Sequence, residues 1–193
     1  MNLYLFDFDG TISRSDSMYQ FIFFIKNKGK LALNLFCNLH NFFKYFLGII
    51  SRDKLKELLL KEIFQEFTKD QLNVYSKNFC EKFQASIKDQ AKKDIASLKE
   101  SKQEVCIVTA SMDIWMEELA KKMDVKLICT ESVFRDKKFF SFKNSNCNGE
   151  EKAKRIMKKY DLASFDTIYA YGDTSGDKEM LKLAHKSFFK FYK

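Results

Sequence analysis

Leu3-Tyr4-Leu5-Phe6 is an apolar run of strand length that stops abruptly at Asp7-Phe8-Asp9-Gly10-Thr11. A run so short and so apolar, ended by glycine, reads as a strand buried on both faces, the kind found in parallel sheets. Open α/β sheets bind their ligands outside the carboxyl ends of the strands, which is where Asp7 and Asp9 fall. On extended backbone, residues i and i+2 point the same way, so the two carboxylates are expected on one face. Gly10 permits a tight turn that brings backbone N–H groups towards an anion. Two close carboxylates beside such a turn repel an anionic substrate unless a cation lies between them. The hard ion that combines a few carboxylates with phosphate oxygens is Mg²⁺.

The second half of the chain repeats this theme. Val105–Val108 is a strand ending in Thr109-Ala110-Ser111, and Lys126–Cys129 is a short one. Residues 167–171 form a strand ending in Gly172-Asp173-Thr174-Ser175-Gly176-Asp177, and residues 187–192 form the last. Helices over 89–100, 112–123 and 149–160 alternate with these strands, and Phe134–Phe142, around Asp136-Lys137-Lys138, reads as a hairpin or flap. Strands alternating with helices predict a doubly wound parallel α/β sheet. Three strand ends are therefore polar and lie on one edge: Asp7/Asp9, Thr109/Ser111 and Asp173/Asp177. Lys152, on the first turn of the helix after Asn148-Gly149, reaches the same edge.

Between the first and second strands the periodicity is helical throughout. Helices are expected over 16–25, 30–49, 51–64 and 68–87, with Asn27-Lys28-Gly29 as a break. Leu55, Leu58, Leu59 and Ile63, and then Leu72, Tyr75, Phe79 and Phe83, form apolar stripes of the kind that pack a helical core. The 30–49 helix is richer still, with Leu31, Leu33, Leu35, Phe36, Leu39, Phe42, Phe43 and Phe46. Its charge-free run, Leu31–Phe43, is interrupted by asparagines and falls short of the ~20 apolar residues that span a bilayer. Lys26, Lys28, Lys30 and Lys44 flank it. Two readings stand: these side chains pack inside the helical insertion or in a dimer contact, or they face an anionic membrane interface.

The net charge of +8 favours anionic partners. No run of five basic residues marks a nucleic-acid tail, so phosphorylated metabolites or lipids are the expected partners and nucleic acid is not. Five cysteines without a C-x-x-C pair indicate neither a disulfide framework nor a zinc site. They suit a reducing compartment. The first strand begins at the N-terminus and leaves no room for a signal peptide, so a cytoplasmic location is expected.

DFDGT after a first strand, IVTAS after a second, the lysine in CNGEEKAKRI and YGDTSGD after a later strand resemble, in order, the four motifs of the haloacid dehalogenase-like hydrolases. The helical segment between the first two motifs resembles the C1 cap of the phosphoserine phosphatase-like branch. The resemblance implies a Rossmann-like core of residues 1–13 and 86–193 with a helical cap of residues 14–85. It implies a Mg²⁺-dependent phosphomonoester phosphatase in which Asp7 is the nucleophile that becomes phosphorylated and Asp9 the general acid–base. Mg²⁺ would be held by Asp7, the Asp9 carbonyl and Asp173, with Asp177 beside it; Thr109, Lys152 and the N–H groups of Phe8 and Ala110 would hold the phosphoryl oxygens. Phosphoserine phosphatases tend to carry Ser-Gly-Gly where this chain has Thr109-Ala110-Ser111, and asparagine where it has Gly176, which counts against phosphoserine as substrate. The apolar, lysine-flanked cap is similar to that of phosphatidylglycerophosphatase-type members, which implies a lipid phosphate such as phosphatidylglycerophosphate. The alternatives are a small soluble phosphate ester, with Asp16 at the offset of a group that would meet a substrate amine, and a non-catalytic binder of a phospho-ligand or membrane.

Overall fold

A computed structural model describes residues 1–26 and 28–192, the side chains of Lys28, Lys30 and Leu35 excepted. Asn27 of the expected break therefore lies outside the described residues, and Lys28 and Gly29, expected to belong to that break, are helical instead.

The strands β1 (Leu3–Phe6), β2 (Glu104–Met112), β3 (Lys126–Thr130), β6 (Ile168–Gly172) and β7 (Lys186–Phe189) form one sheet in the order β3-β2-β1-β6-β7. Every pairing in it is parallel. Leu3 and Leu5 point to one face, with Cys106, Val108, Ala170, Ile156 and Met180. Tyr4 and Phe6 point to the other, with Ile107 and Trp115. This is the period-2 alternation of a strand buried on both sides. On the second face a row of rings crosses neighbouring strands: Phe6 stacks on Tyr171 at 4.5 Å and Tyr171 on Phe188 at 4.7 Å.

Helices α6 (Asp89–Glu100) and α7 (Asp113–Lys122) cover this aromatic face, and α8 (Glu150–Lys159) and α9 (Lys178–Lys182) cover the other. The doubly wound sheet expected from the alternation is what forms. β4 (Ser132–Arg135) and β5 (Lys138–Phe142) make the expected hairpin, turning through Asp136 and Lys137 at positive φ. β1 sits at the centre and the chain leaves it towards both edges, so its carboxyl end lies at the topological switch point.

The segment between β1 and β2 is helical: α1 (Ser17–Ile25), α2 (Lys28–Cys37), α3 (Leu39–Phe46), α4 (Arg52–Phe64) and α5 (Lys69–Phe83). An isolated antiparallel bridge, Ser13↔Ile87, ties together the points where the chain leaves and re-enters the core. Phe21 of α1 stacks on Trp115 of α7 at 5.1 Å and meets Phe79 of α5 edge-on at 5.2 Å. The apolar core thus runs without a break from the sheet into α1, α4 and α5.

Two expectations need correction. The single helix over 30–49 is two helices, broken at Asn38. The Asn38 side chain donates to the Asn34 carbonyl at 2.9 Å and accepts from Asn41 Nδ2 at 2.9 Å. Local amide bonding of this sort competes with helix continuation. Second, Leu33, Phe36, Leu39, Phe43 and Phe46 are exposed rather than packed within the insertion. Of the expected stripes, Leu55 and Ile63 on α4 and Leu72, Phe79 and Phe83 on α5 are buried, Leu58, Leu59 and Tyr75 are half-buried, and Leu60, outside the expected stripe, is buried with them. Among the described residues, no helix is long and apolar enough to cross a membrane.

Candidate active site

Asp7 is the first residue past β1, and its N–H donates to the Tyr171 carbonyl at 2.9 Å, continuing the pairing with β6. The chain then makes a wide turn, Phe8–Ile12, with non-helical backbone at Asp9 and Gly10, rather than continuing as a strand. This changes the expected geometry of the two carboxylates. They do not run along one strand face; Asp7 reaches towards β6 and α8, and Asp9 towards β2 and α1. Phe8, between them, is buried with its ring 5.9 Å from that of Phe83.

Gly10 makes the turn possible twice over. Its φ of +84° is a left-handed conformation that side chains resist. A Cβ there would also stand 2.3 Å from Asp173 Oδ2, so only glycine lets the fourth motif close on the first. Lys88, just before α6, donates to the Gly10 carbonyl at 2.7 Å and holds the turn from below.

Lys152 is buried at the start of α8, and its Nζ lies 2.5 Å from Asp7 Oδ1 and 2.6 Å from Asp177 Oδ1. Asp177 Oδ2 accepts from the Thr174 N–H at 2.9 Å, the Thr174 hydroxyl at 3.0 Å and the Asp173 N–H at 3.2 Å. Carboxylate oxygens of Asp7, Asp173 and Asp177 lie within 4.8 Å of one another. Burial disfavours the Lys152 ammonium, but Asp7 and Asp177 outweigh it and raise its pKa. Burial likewise pushes the Asp177 carboxyl up, and there Lys152 and Thr174 prevail and hold it below the usual value. At Asp7 burial wins over Lys152, and the pKa rises.

One lysine thus pairs with two of the three carboxylates, Asp7 and Asp177, and leaves Asp173 without a cation beside it among the described residues. Thr11 Oγ1 lies 3.0 Å from Asp7 Oδ2 and 3.1 Å from Asp173 Oδ1, yet a hydroxyl has one proton to give. The cluster is short of positive charge and rich in hard oxygen donors. Those two properties fit Mg²⁺, and the residues able to hold it are Asp7, Asp173 and Asp177. The Asp9 side chain is not among them.

Asp9 is pinned elsewhere. Its Oδ1 accepts from the Ser17 N–H at 2.7 Å and its Oδ2 from the Ser111 hydroxyl at 2.6 Å. Ser17 Oγ lies 3.0 Å from Ser111 Oγ and accepts from Trp115 Nε1 at 3.0 Å. Burial, and then the charge of Asp16, raise the Asp9 pKa. A half-buried carboxyl whose pKa is raised, beside a polar site, is suited to proton transfer. Asp16 itself is exposed and caps α1, accepting from the Tyr19 N–H at 3.1 Å.

The second motif is shaped by a bulge. Pairing of β2 with β3 jumps from Val108↔Ile128 to Met112↔Thr130, leaving residues 109–111 looped out of register. Thr109 is buried there, its Oγ1 accepting from the Ser111 N–H at 3.0 Å. The Ala110 carbonyl accepts from Lys56 Nζ at 2.8 Å. The structure therefore brings Asp7, Asp9, Thr109, Ala110, Lys152, Asp173 and Asp177 to one sheet edge, with the Phe8 backbone in the turn beside them.

Lys56 is what sequence reasoning missed. It projects from α4 onto the site, 3.1 Å from Asn146 Oδ1, while Asn146 Nδ2 donates to Asp53 Oδ1 at 2.9 Å. Burial lowers its pKa to about 8 against the pull of Asp9, Asp16 and Asp53. Nothing in α4 distinguishes Lys56 from Lys54 or Lys61. Thr11, by contrast, stands inside DFDGT and was there to be assigned.

The sequence profile of the haloacid dehalogenase-like hydrolases matches residues 4–182. Comparison with curated proteins finds no match. Among solved structures, a protein of unknown function from Bordetella pertussis Tohama I superposes with a TM-score of 0.82 at 21% identity, over 96% of this chain and 88% of that one. A phosphoserine phosphohydrolase-like protein from Francisella tularensis subsp. tularensis SCHU S4 gives 0.67 at 19% identity, over 98% and 86%. A phosphoserine phosphatase in its apo form gives 0.67 at 15%, over 97% and 84%. At these identities the likeness is one of fold.

Proposed function

The chain belongs to the haloacid dehalogenase-like hydrolases, and from that premise we propose that it is a Mg²⁺-dependent phosphomonoester phosphatase acting through a phosphorylated Asp7. The observation that carries this reading is the buried Asp7–Lys152–Asp177 array, 2.5 and 2.6 Å across its two contacts, with Asp173 beside it. A protein that only bound a phosphate would gain nothing from burying two carboxylates against one lysine with a third beside them.

An Asp7 carboxylate oxygen attacks phosphorus, and the bond from phosphorus to the ester oxygen breaks. The departing oxygen takes its proton from the Asp9 carboxylic acid, whose protonated form burial favours. Water then attacks the phosphoryl group on Asp7 and gives its proton back to Asp9, and inorganic phosphate leaves. Proton transfer of this kind is worth about 10²–10⁴ in rate. Lys152, Thr109 and the N–H groups of Phe8 and Ala110 bind the phosphoryl oxygens and offset charge as the loose transition state develops. Mg²⁺ would be held by Asp7, the Asp9 carbonyl and Asp173 with Asp177 beside it, supplying the positive charge that lets a phosphate dianion approach three carboxylates.

Residues 14–85 act in this reading as a cap over a core of residues 1–13 and 86–193, and Lys56 is the cap's contribution to the site wall. Gly176, standing where phosphoserine phosphatases tend to carry asparagine, supports a substrate other than phosphoserine. The unpaired cysteines support a reducing, cytoplasmic setting. The test is phosphate release from soluble monoesters with Mg²⁺ and with chelator. Release that needs Mg²⁺ and vanishes in Asp7→Asn bears the proposal out; release that survives either change rejects it.

A further inference from the structure

α2 and α3 are built inside out. Their asparagines are buried: Asn34 accepts from Lys26 Nζ at 2.6 Å, and Asn38 and Asn41 continue a chain of amide bonds along the inner face. Their apolar side chains face outwards: Leu33 is 62% exposed, Phe36 69%, Leu39 56%, Phe43 66%, Phe46 80% and, past the end of α3, Ile49 66%. A water-facing helix pair has the reverse arrangement, and an exposed apolar face of this extent marks a contact surface.

Charge identifies what it contacts. Residues 17–52 contain no Asp or Glu, and of their basic residues Lys26 is turned inward to Asn34 and Glu66, so it adds no charge to the outer face. Lys44 and Arg52 are exposed beside the apolar residues. A second copy of this chain would press one acid-free, basic face against another. An anionic bilayer offers both an apolar layer for the rings and negative headgroups for the lysines. α4 connects this face to the site: the Asn34 side chain donates to the Glu62 carbonyl of α4 at 3.4 Å, and Lys56 of the same helix reaches the Ala110 carbonyl.

We propose that the outward face of α2–α3 docks on an anionic lipid surface, and that the phosphate ester processed at Asp7 is a lipid phosphate presented by that surface. The second clause rests on the phosphatase reading; the docking does not.

The test is co-sedimentation with vesicles of phosphatidylglycerol and phosphatidylcholine, against vesicles of phosphatidylcholine alone, with phosphate release measured from phosphatidate in the same anionic vesicles. The intact protein binds the anionic vesicles and prefers them. The Phe36→Ser/Phe43→Ser/Phe46→Ser variant, its fold checked by circular dichroism, binds them at least about tenfold more weakly and releases correspondingly less phosphate from phosphatidate. Lys44→Glu, which spares the rings, weakens binding less and removes part of its salt sensitivity. Asp7→Asn binds as the intact protein does and releases nothing. No vesicle binding, or a dimer that the triple substitution splits without any vesicle binding, overturns the docking. Binding without release from any ester leaves the docking standing and sinks the phosphatase reading, whereas release from soluble esters without binding does the opposite.

Discussion

The carboxyl edge of the sheet and the α2–α3 pair both bury polar side chains, and they do so for opposite ends. At the sheet edge the buried groups are ions, Asp7, Lys152 and Asp177, drawn from three distant stretches of chain and paired with one another. In α2–α3 they are neutral amides, Asn34, Asn38 and Asn41, spaced three or four apart and bonded to one another and to backbone. The ions stand close at a cost in desolvation that their mutual attraction offsets at Lys152 and Asp177 but not at Asp7. The amides are satisfied where they are, and by turning inward they leave the apolar residues to face out. Burial of polarity makes chemistry possible in one region and an apolar surface in the other.

The comparison predicts a graded series of effects. Asp7→Asn keeps the shape of the site and removes its nucleophile, so turnover falls by at least about 10³ while the melting temperature holds; turnover within tenfold of the original would end the ionic half of the contrast. Lys152→Met strands two buried carboxylates and costs about 3–5 kcal/mol in urea unfolding; a loss below 1 kcal/mol would mean that the array is wetter than it looks. Asn38→Ala removes one link of the amide chain and leaves its neighbours unpaired, a loss of about 1–3 kcal/mol without change in turnover.

Burial lifts Asp7 to about 7 in the metal-free protein, ahead of the opposing pull of Lys152. Mg²⁺ must displace that proton, so its affinity, followed by titration calorimetry, is flat above pH 7 and falls by up to about tenfold per unit below it. A flat profile down to pH 5 would place the metal away from Asp7. Smallest of all is Phe46→Ser, which alters thermal stability by about 0.5 kcal/mol or less because the ring is exposed. A larger loss would show that the outer face of α3 is packed in solution.

Much of this was legible because the site is carried by short motifs at strand ends. DFDGT, TAS and GDTSGD each follow an apolar run, and their order along the chain implied their meeting at one edge. The divergence of Asp7 and Asp9 was not legible, since the chain turns from Phe8 onward where an extended strand was expected. Lys56 was invisible for another reason: it reaches the site from a helix whose pattern marks only its apolar stripe. Periodicity also treated α3 and α5 alike. Both carry aromatics at helical spacing, and which way a stripe faces depends on what its polar residues bond to, as Asn34, Asn38 and Asn41 show.

The Ser13↔Ile87 bridge carries a consequence for how such a molecule can change over time. Because exit and return lie side by side, the entire stretch from α1 to α5 hangs from the sheet as an appendix would from a page, and exchanging it leaves strand order and motif spacing untouched. What a replacement has to reproduce is the set of contacts made across that junction: an aromatic to sit on Trp115, as Phe21 does at 5.1 Å, a ring against Phe8, as Phe83 gives at 5.9 Å, and a backbone N–H to meet Asp9, as Ser17 does at 2.7 Å. A replacement that meets them leaves the polar strand ends where they stand.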